Sequence, residues 1–160
     1  MQQDTRVCVI GAGAVGGLVG GKLAASGADV TLVDRAARID TLADHSLTIV
    51  SASGDQEQVD EFDVAAETEN LGPHDLVVLG VKAYDLPTAA RAVPPVVGDD
   101  TIVLPLQNGI PWWYFEEYDG DHAGYRIDSV DPDGVIETHV DTARVIGCVP
   151  YVAAEVTDPD

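Results

Sequence analysis

The sequence predicts an α/β fold, a doubly wound, mainly parallel sheet with helices on both faces. Three observations carry that prediction. A short apolar run at residues 7–10 breaks at once into Gly11-Ala12-Gly13-Ala14-Val15-Gly16, and a helix-like stretch follows to about Ser26. A second run, Val30-Thr-Leu-Val, ends on an acid, Asp34, roughly 20 residues past the glycines. Two later runs, residues 76–81 and 101–106, are apolar at consecutive positions, as strands buried on both faces require.

The order strand, G-x-G-x-x-G, helix is the fingerprint of a Rossmann-like dinucleotide-binding unit, and each glycine has its own task. Gly11 permits a tight turn off the strand. Gly13 lets the backbone approach a pyrophosphate, and Gly16 lets the helix pack near the sheet. The unpaired N–H groups and positive dipole end of that helix then face the phosphates. A glycine-rich turn in an unliganded sheet is the plain alternative. Asp34, at the end of the second strand, stands where a ribose-binding carboxylate belongs.

Residues 35–45 read as a short helix, with Ala36, Ile39, Leu42 and Ala43 near helical spacing and His45 a surface residue at its end. Residues 47–52 read as a strand, Ser53-Gly54-Asp55 as a turn, and residues 58–65 as the returning strand of a hairpin. A loop at residues 70–75 leads into the buried strand 76–81, with Lys82 just past its carboxyl end, where open α/β sheets bind ligands. A short helix is expected at residues 88–92, begun near Pro87 and stopped by Pro94-Pro95. Gly98-Asp99-Asp100 reads as a turn into strand 101–106, which ends in Gln107-Asn108-Gly109. Pro111 can start a helix that carries Trp112 and Trp113, either as an aromatic plug against the sheet edge or as a wall beside a ligand. Asp131-Pro132-Asp133-Gly134 is a turn signal between expected strands at 125–130 and 135–140, and residues 145–156 read as a last strand-rich segment. No repeat or linker interrupts the chain.

A length of 160 residues fits one domain, residues 1–160, that buries roughly 68–70% of its unfolded surface. No apolar run reaches the roughly 18 residues of a membrane span, and the amino terminus lacks a signal-peptide core, so a cytoplasmic protein is expected. Cys8 and Cys148 have no metal spacing and read as buried small hydrophobes. The charge is unusual: 28 acidic residues against 8 basic ones give −20, and only Lys22 and Lys82 are lysines. Such a field repels nucleic acid and anionic membranes and argues against both as partners. Acids dispersed along the chain (Asp29, Asp60, Asp99 and Asp141 among them) with almost no lysine suit a halophilic protein, whose self-repulsion is screened by salt.

Three motifs together resemble the amino-terminal NAD(P)-binding domain of the ketopantoate reductase (2-dehydropantoate 2-reductase) family. They are Gly-Ala-Gly-Ala-Val-Gly-Gly at 11–17, Leu-Gly-Val-Lys-Ala-Tyr at 79–84 and Leu-Gln-Asn-Gly-Ile-Pro at 106–111. Pro-Trp-Trp-Tyr-Phe and the Asp-Pro-Asp-Gly stretch are similar to a subset of its homologues. The resemblance covers essentially the whole chain. It implies an NAD(P)H-dependent reductase of a 2-oxo acid, 2-dehydropantoate to pantoate or a related substrate, in pantothenate biosynthesis.

Carried over by position, Gly11, Ala12, Gly13, Ala14, Val15 and Gly16 would hold the cofactor's pyrophosphate. Asp34 and Arg35 would meet its adenosine ribose. Val81, Lys82, Asn108 and Gly109 would line the nicotinamide end, with Lys82 and Asn108 also serving catalysis. A cation and an amide at adjacent strand ends suit an anionic 2-oxo acid on physical grounds too. The plain alternatives are a solvated lysine and an ordinary turn. Asp34 favours NAD by accepting from the ribose 2′-OH. Arg35, where the family keeps the arginine that pairs with a 2′-phosphate, favours NADP, and the resemblance leans to NADP.

The family places its general-acid lysine in a helical carboxyl-terminal domain that these residues do not include, and the first domain itself reads as truncated near its end. The chain alone is therefore expected to be inactive, to expose apolar surface at the aromatic segment and residues 145–156, and to form a homo-oligomer. A non-enzymatic NAD(P)-sensing regulatory domain is the second reading. It would need no cation or amide at the substrate end.

Overall fold

The computed structural model describes residues 5–43, 46–116 and 118–157. His45 and the chain's first and last few residues lie outside the described residues, as does Glu117 in the aromatic segment. The element order is β1 (Arg6–Ile10), α1 (Ala14–Ala25), β2 (Asp29–Val33), α2 (Ala36–Ala43), β3 (Leu47–Val50), β4 (Gln56–Val59), β5 (Asp63–Ala65), β6 (His74–Leu79), α3 (Leu86–Ala90), β7 (Val97–Pro105) and α4 (Val135–His139). Five strands form one parallel sheet in the order β5-β2-β1-β6-β7, and β3 and β4 form a separate antiparallel hairpin. From β1 the chain steps outward through β2 to β5, then returns to lay β6 on the other side of β1. The reversal between β1 and β6 is the topological switch point, the place where such sheets open a crevice at their carboxyl ends.

Strand alternation divides the core in two. Val7, Val9, Val30, Leu32 and Val78 point to one face, under α1, α2 and the hairpin. Cys8, Ile10, Val33, Val77 and Leu79 point to the other, under α3, α4 and Trp112. Both faces are covered, so the strands read as continuous apolar runs. Helix α1 carries Lys22 as its one charged residue and is otherwise apolar, because it is buried on two sides. A Cβ on Gly20 would stand 2.6 Å from a Leu32 methyl of the sheet, and one on Gly21 would stand 2.6 Å from a Leu47 methyl of the hairpin. Burial pushes the Cys8 thiol up to about 12, which leaves it an inert core residue.

Several expectations are corrected. The single return strand over 58–65 is two: β4 closes the hairpin and β5 joins the main sheet beside β2. Asp60-Glu61-Phe62 breaks the run, and the partner on each side decides which sheet it enters. The turn at 98–100 lies inside β7 as a register irregularity, with the Gly98 N–H donating to Thr101 Oγ1 at 2.7 Å. Residues 112–116 form turns rather than a helix. The strands expected at 125–130 and 135–140 are absent; Asp131 caps α4 instead, its two carboxylate oxygens accepting from the N–H groups of Ile136 (2.8 Å) and Glu137 (3.0 Å). Buried carboxylate caps of this kind favour the helix over an extended strand. Of the last strand-rich segment, only Val145 and Cys148 form isolated parallel bridges, to Val103 of β7 and to Leu106 just past its end. Among the described residues no helix is long and apolar enough to cross a membrane.

Candidate functional site

The switch point is closed by three glycines from three elements. Gly11 leaves β1 with φ +96°, its N–H donating to Val33 O at 2.8 Å, while the Gly80 N–H donates to Ile10 O at 2.9 Å. A Cβ on Gly16 would run into Gly11 O, and one on Gly80 would lie 2.6 Å from that same oxygen and 2.7 Å from Gly16 Cα. The first turn of α1 is therefore pressed against the ends of β1 and β6 at a distance only glycine allows. Gly13 differs: a Cβ there would meet nothing within 4 Å. Its backbone faces open space at the amino end of α1, where a phosphate could approach the N–H groups. The turn at Gly11 and the close packing at Gly16 thus have a physical basis, and Gly80 is an addition to them. A glycine at the end of a buried strand is the signal that marks such an approach.

The other predicted residues stand along the same edge. Asp34 follows β2, largely shielded, with Oδ1 accepting from the Arg35 N–H at 2.8 Å. The Arg35 side chain is 96% exposed and reaches Asp34 only at 3.9 Å. Ala12 is buried, Ala14 and Val15 are half-buried at the start of α1, and Val81 packs against Gly11. Lys82 is exposed directly after Val81, and Asn108 and Gly109 are exposed past the end of β7. Parallel register brings these ends together: Leu76 to Leu79 of β6 pair with Ile102 to Pro105 of β7. Gln107, outside the predicted set, ties the two ends by donating from Nε2 to Val81 O at 2.7 Å. Asn108 Nδ2 makes only a long bond, 3.4 Å, to Pro150 O, so its amide is readily available to a ligand.

Arg38 is a third residue that sequence reasoning misses, after Gly80 and Gln107. From the first turns of α2 its Nη2 reaches Ala12 O of the glycine loop at 3.5 Å, and its Nε is buried without a hydrogen-bond partner. An orphaned buried donor costs about 1–3 kcal/mol, so its presence here calls for a reason. The i,i+3 spacing from Arg35 is the only sequence signal that could have found it. Trp112 resolves as a plug: it is buried in the core beneath α3 and α4, and Trp113 stacks edge-on at 4.3 Å. A shallow cavity lined by Val93, Pro94, Val97, Glu137 and Arg144 opens on the flank of β7 and includes none of the predicted residues. Among the described residues no group of His, Cys, Asp and Glu could hold a metal ion.

Together these residues line the carboxyl edge of the sheet, with a glycine loop at the centre, two arginines and an acid on one side, and a lysine and an amide on the other. The sequence profile of the family described as ketopantoate reductase PanE/ApbA matches residues 7–111. The 2-dehydropantoate 2-reductase of Mesorhizobium japonicum is 39% identical over 155 residues, which is 96% of this chain and 47% of that protein. That of Halobacterium salinarum is 38% identical over 106 residues, 66% of this chain and 34% of its own. The crystal structure of a ketopantoate reductase homologue from Ralstonia solanacearum superposes with a TM-score of 0.88 at 33% identity, covering 98% of this chain and 48% of that one. The chain spans about half the length of the relatives it matches most fully.

Proposed function

This chain belongs to the ketopantoate reductase family, and from that membership we propose that it forms the cofactor-binding half of an NAD(P)H-dependent reductase of a 2-oxo acid, 2-dehydropantoate or a close relative, serving pantothenate biosynthesis. The observation that carries the proposal is the glycine cluster at the switch point, with open space before Gly13 and with Lys82 and Asn108 at the two neighbouring strand ends. The residues present fit a dinucleotide. Gly11 to Gly16 offer backbone N–H groups to the pyrophosphate, Asp34, Arg35 and Arg38 surround the ribose end, and Val81 and Gly109 border the nicotinamide end. A bound reduced nicotinamide supplies the hydride. Lys82 Nζ pairs with the substrate carboxylate, and Asn108 Nδ2 exchanges Pro150 O for the substrate's oxo oxygen, orienting it and stabilising the charge that develops there.

Reduction also needs a proton at that oxygen. Of the two lysines in these 160 residues, Lys22 is ion-paired with Glu57 on the hairpin and Lys82 is committed to the carboxylate. We therefore expect no appreciable turnover from this chain alone; turnover that survives Lys82→Ala would refute the assignment. Exposed Ile146, Val149, Tyr151, Val152 and Val156 support self-association, strengthening as salt screens the −20 charge, and sedimentation velocity across a KCl series checks it.

Binding decides the rest. Titration with NADPH and NADH should show saturable binding, and ketopantoate should tighten it in wild type but not in Lys82→Ala or Asn108→Ala. Dinucleotide binding with no response to any 2-oxo acid would instead mean a nucleotide sensor.

A further inference from the structure

Arg35 and Arg38 lie one turn apart at the start of the chain's second helix, directly after Asp34, where β2 delivers the chain to the ribose end of the cleft. They are not equivalent. The Arg35 side chain stands in water and must be ordered by whatever it binds, at a cost in side-chain freedom. Arg38 is half-buried and already placed over the glycine loop. Its Nε is shut off from solvent without an acceptor, and among the described residues its one recorded side-chain hydrogen bond is the long contact to Ala12 O. Five donors on a planar fork are thus held at the loop with most of their capacity unfilled. Four of the other six cations are engaged: Arg6 with Pro73 O, Lys22 with Glu57, Arg126 with Asp128, and Arg144 with Gly98 O and Asp99 O, while Lys82 and Arg91 stand exposed. Asp34, the acid that would repel a ribose phosphate, has Oδ1 turned onto the Arg35 N–H.

We propose that Arg38, rather than Arg35, anchors the 2′-phosphate on the cofactor's adenosine ribose and so sets NADP over NAD. The inference rests on the dinucleotide reading above. A phosphate monoester matches the guanidinium fork, and placing it there completes a donor set that the protein leaves open. Arg35 contributes only general attraction from water.

Calorimetric titration with 2′,5′-ADP and with 5′-AMP at one ionic strength separates the possibilities, because only the first carries the 2′-phosphate. Arg38→Ala should lose at least about tenfold in affinity for 2′,5′-ADP and less than about twofold for 5′-AMP. Arg35→Ala should lose under about threefold for either, as an exposed charge does. Arg38→Lys keeps the charge without the fork and should fall between wild type and Arg38→Ala; it also serves if thermal melts show that the alanine variant is unfolded. Equal losses for both ligands in Arg38→Ala, or a larger loss in Arg35→Ala, would overturn the assignment. If wild type binds both ligands and Arg38→Ala matches it, this inference alone fails. If wild type binds neither, the dinucleotide reading fails and takes the inference with it.

Discussion

The two ends of the same five parallel strands are built in opposite ways. At the amino end the polar groups are closed by partners within the chain. The Arg6 guanidinium donates to Pro73 O at 2.6 Å and Leu71 O at 3.2 Å, and its main-chain N–H donates to Asp75 Oδ2 at 2.8 Å. Buried Thr101 donates to His74 O at 2.5 Å, and His74 Nδ1 donates to Gly72 O at 2.9 Å. Arg144 holds Gly98 O and Asp99 O, both at 2.8 Å. At the carboxyl end the backbone is stripped of side chains at Gly11, Gly13, Gly16 and Gly80, while Arg35, Lys82 and Asn108 face water and Arg38 is underbonded. The first edge is finished by folding; the second leaves its polar groups open.

Substitutions that respect or violate this division can break the comparison, and the largest effect belongs to Gly80. Gly80→Ala forces a methyl into two backbone atoms and should cost about 3 kcal/mol, lowering the melting temperature by roughly 10 °C in a calorimetric scan. A stable Gly80→Ala protein would mean the three-glycine contact is looser than described. Next comes Arg6→Ala, which leaves two carbonyls and Asp29 at the amino end without their cation. A loss of about 2 kcal/mol in urea unfolding is expected, with dinucleotide affinity unchanged.

Gly13→Ala is the mirror case. Its φ of −71° and the open space around it predict stability within about 0.5 kcal/mol of wild type, but dinucleotide binding weakened about tenfold or more. A fall in stability with affinity intact would reverse the roles of the two ends.

His74 sharpens the comparison by pH. Burial lowers its pKa below the ordinary 6.5, so the folded state binds fewer protons there than the unfolded state. Its contribution is present above about pH 6.5 and is lost as pH falls from there through the lower folded value. Unfolding midpoints followed from pH 8 to pH 5 should decline, and His74→Gln should remove part of the slope. The smallest stability effect is expected at the open edge. Lys82→Ala should change unfolding by less than about 0.5 kcal/mol, so any loss of 2-oxo acid response would be functional and not structural.

Legibility in the sequence followed the same division of labour. Residues 7–17, 30–34 and 76–82 could be read because parallel strands buried on both faces must be apolar throughout, and because glycine alone tolerates the contacts at their ends. The region 111–157 could not be read so well. Tyr125 to Val130 and Val135 to Val140 have strand-like composition, yet Asp131 reaches Ile136 and Glu137 and makes the second stretch a helix. Trp112 left two readings open until the core beneath α3 and α4 enclosed it.

Local chemistry alone determined the α/β class, the glycine loop and the candidate cleft residues Asp34, Arg35, Lys82 and Asn108, since each depends on a residue's own backbone freedom or charge and its place at a strand end. Tertiary structure decided the division of residues 56–65 between two sheets, the contact of Gly80 with Gly11 and Gly16, the Gln107 tie to Val81, and the different settings of Arg35 and Arg38. Those depend on which partner a residue meets across tens of positions of chain, and no local pattern encodes that distance.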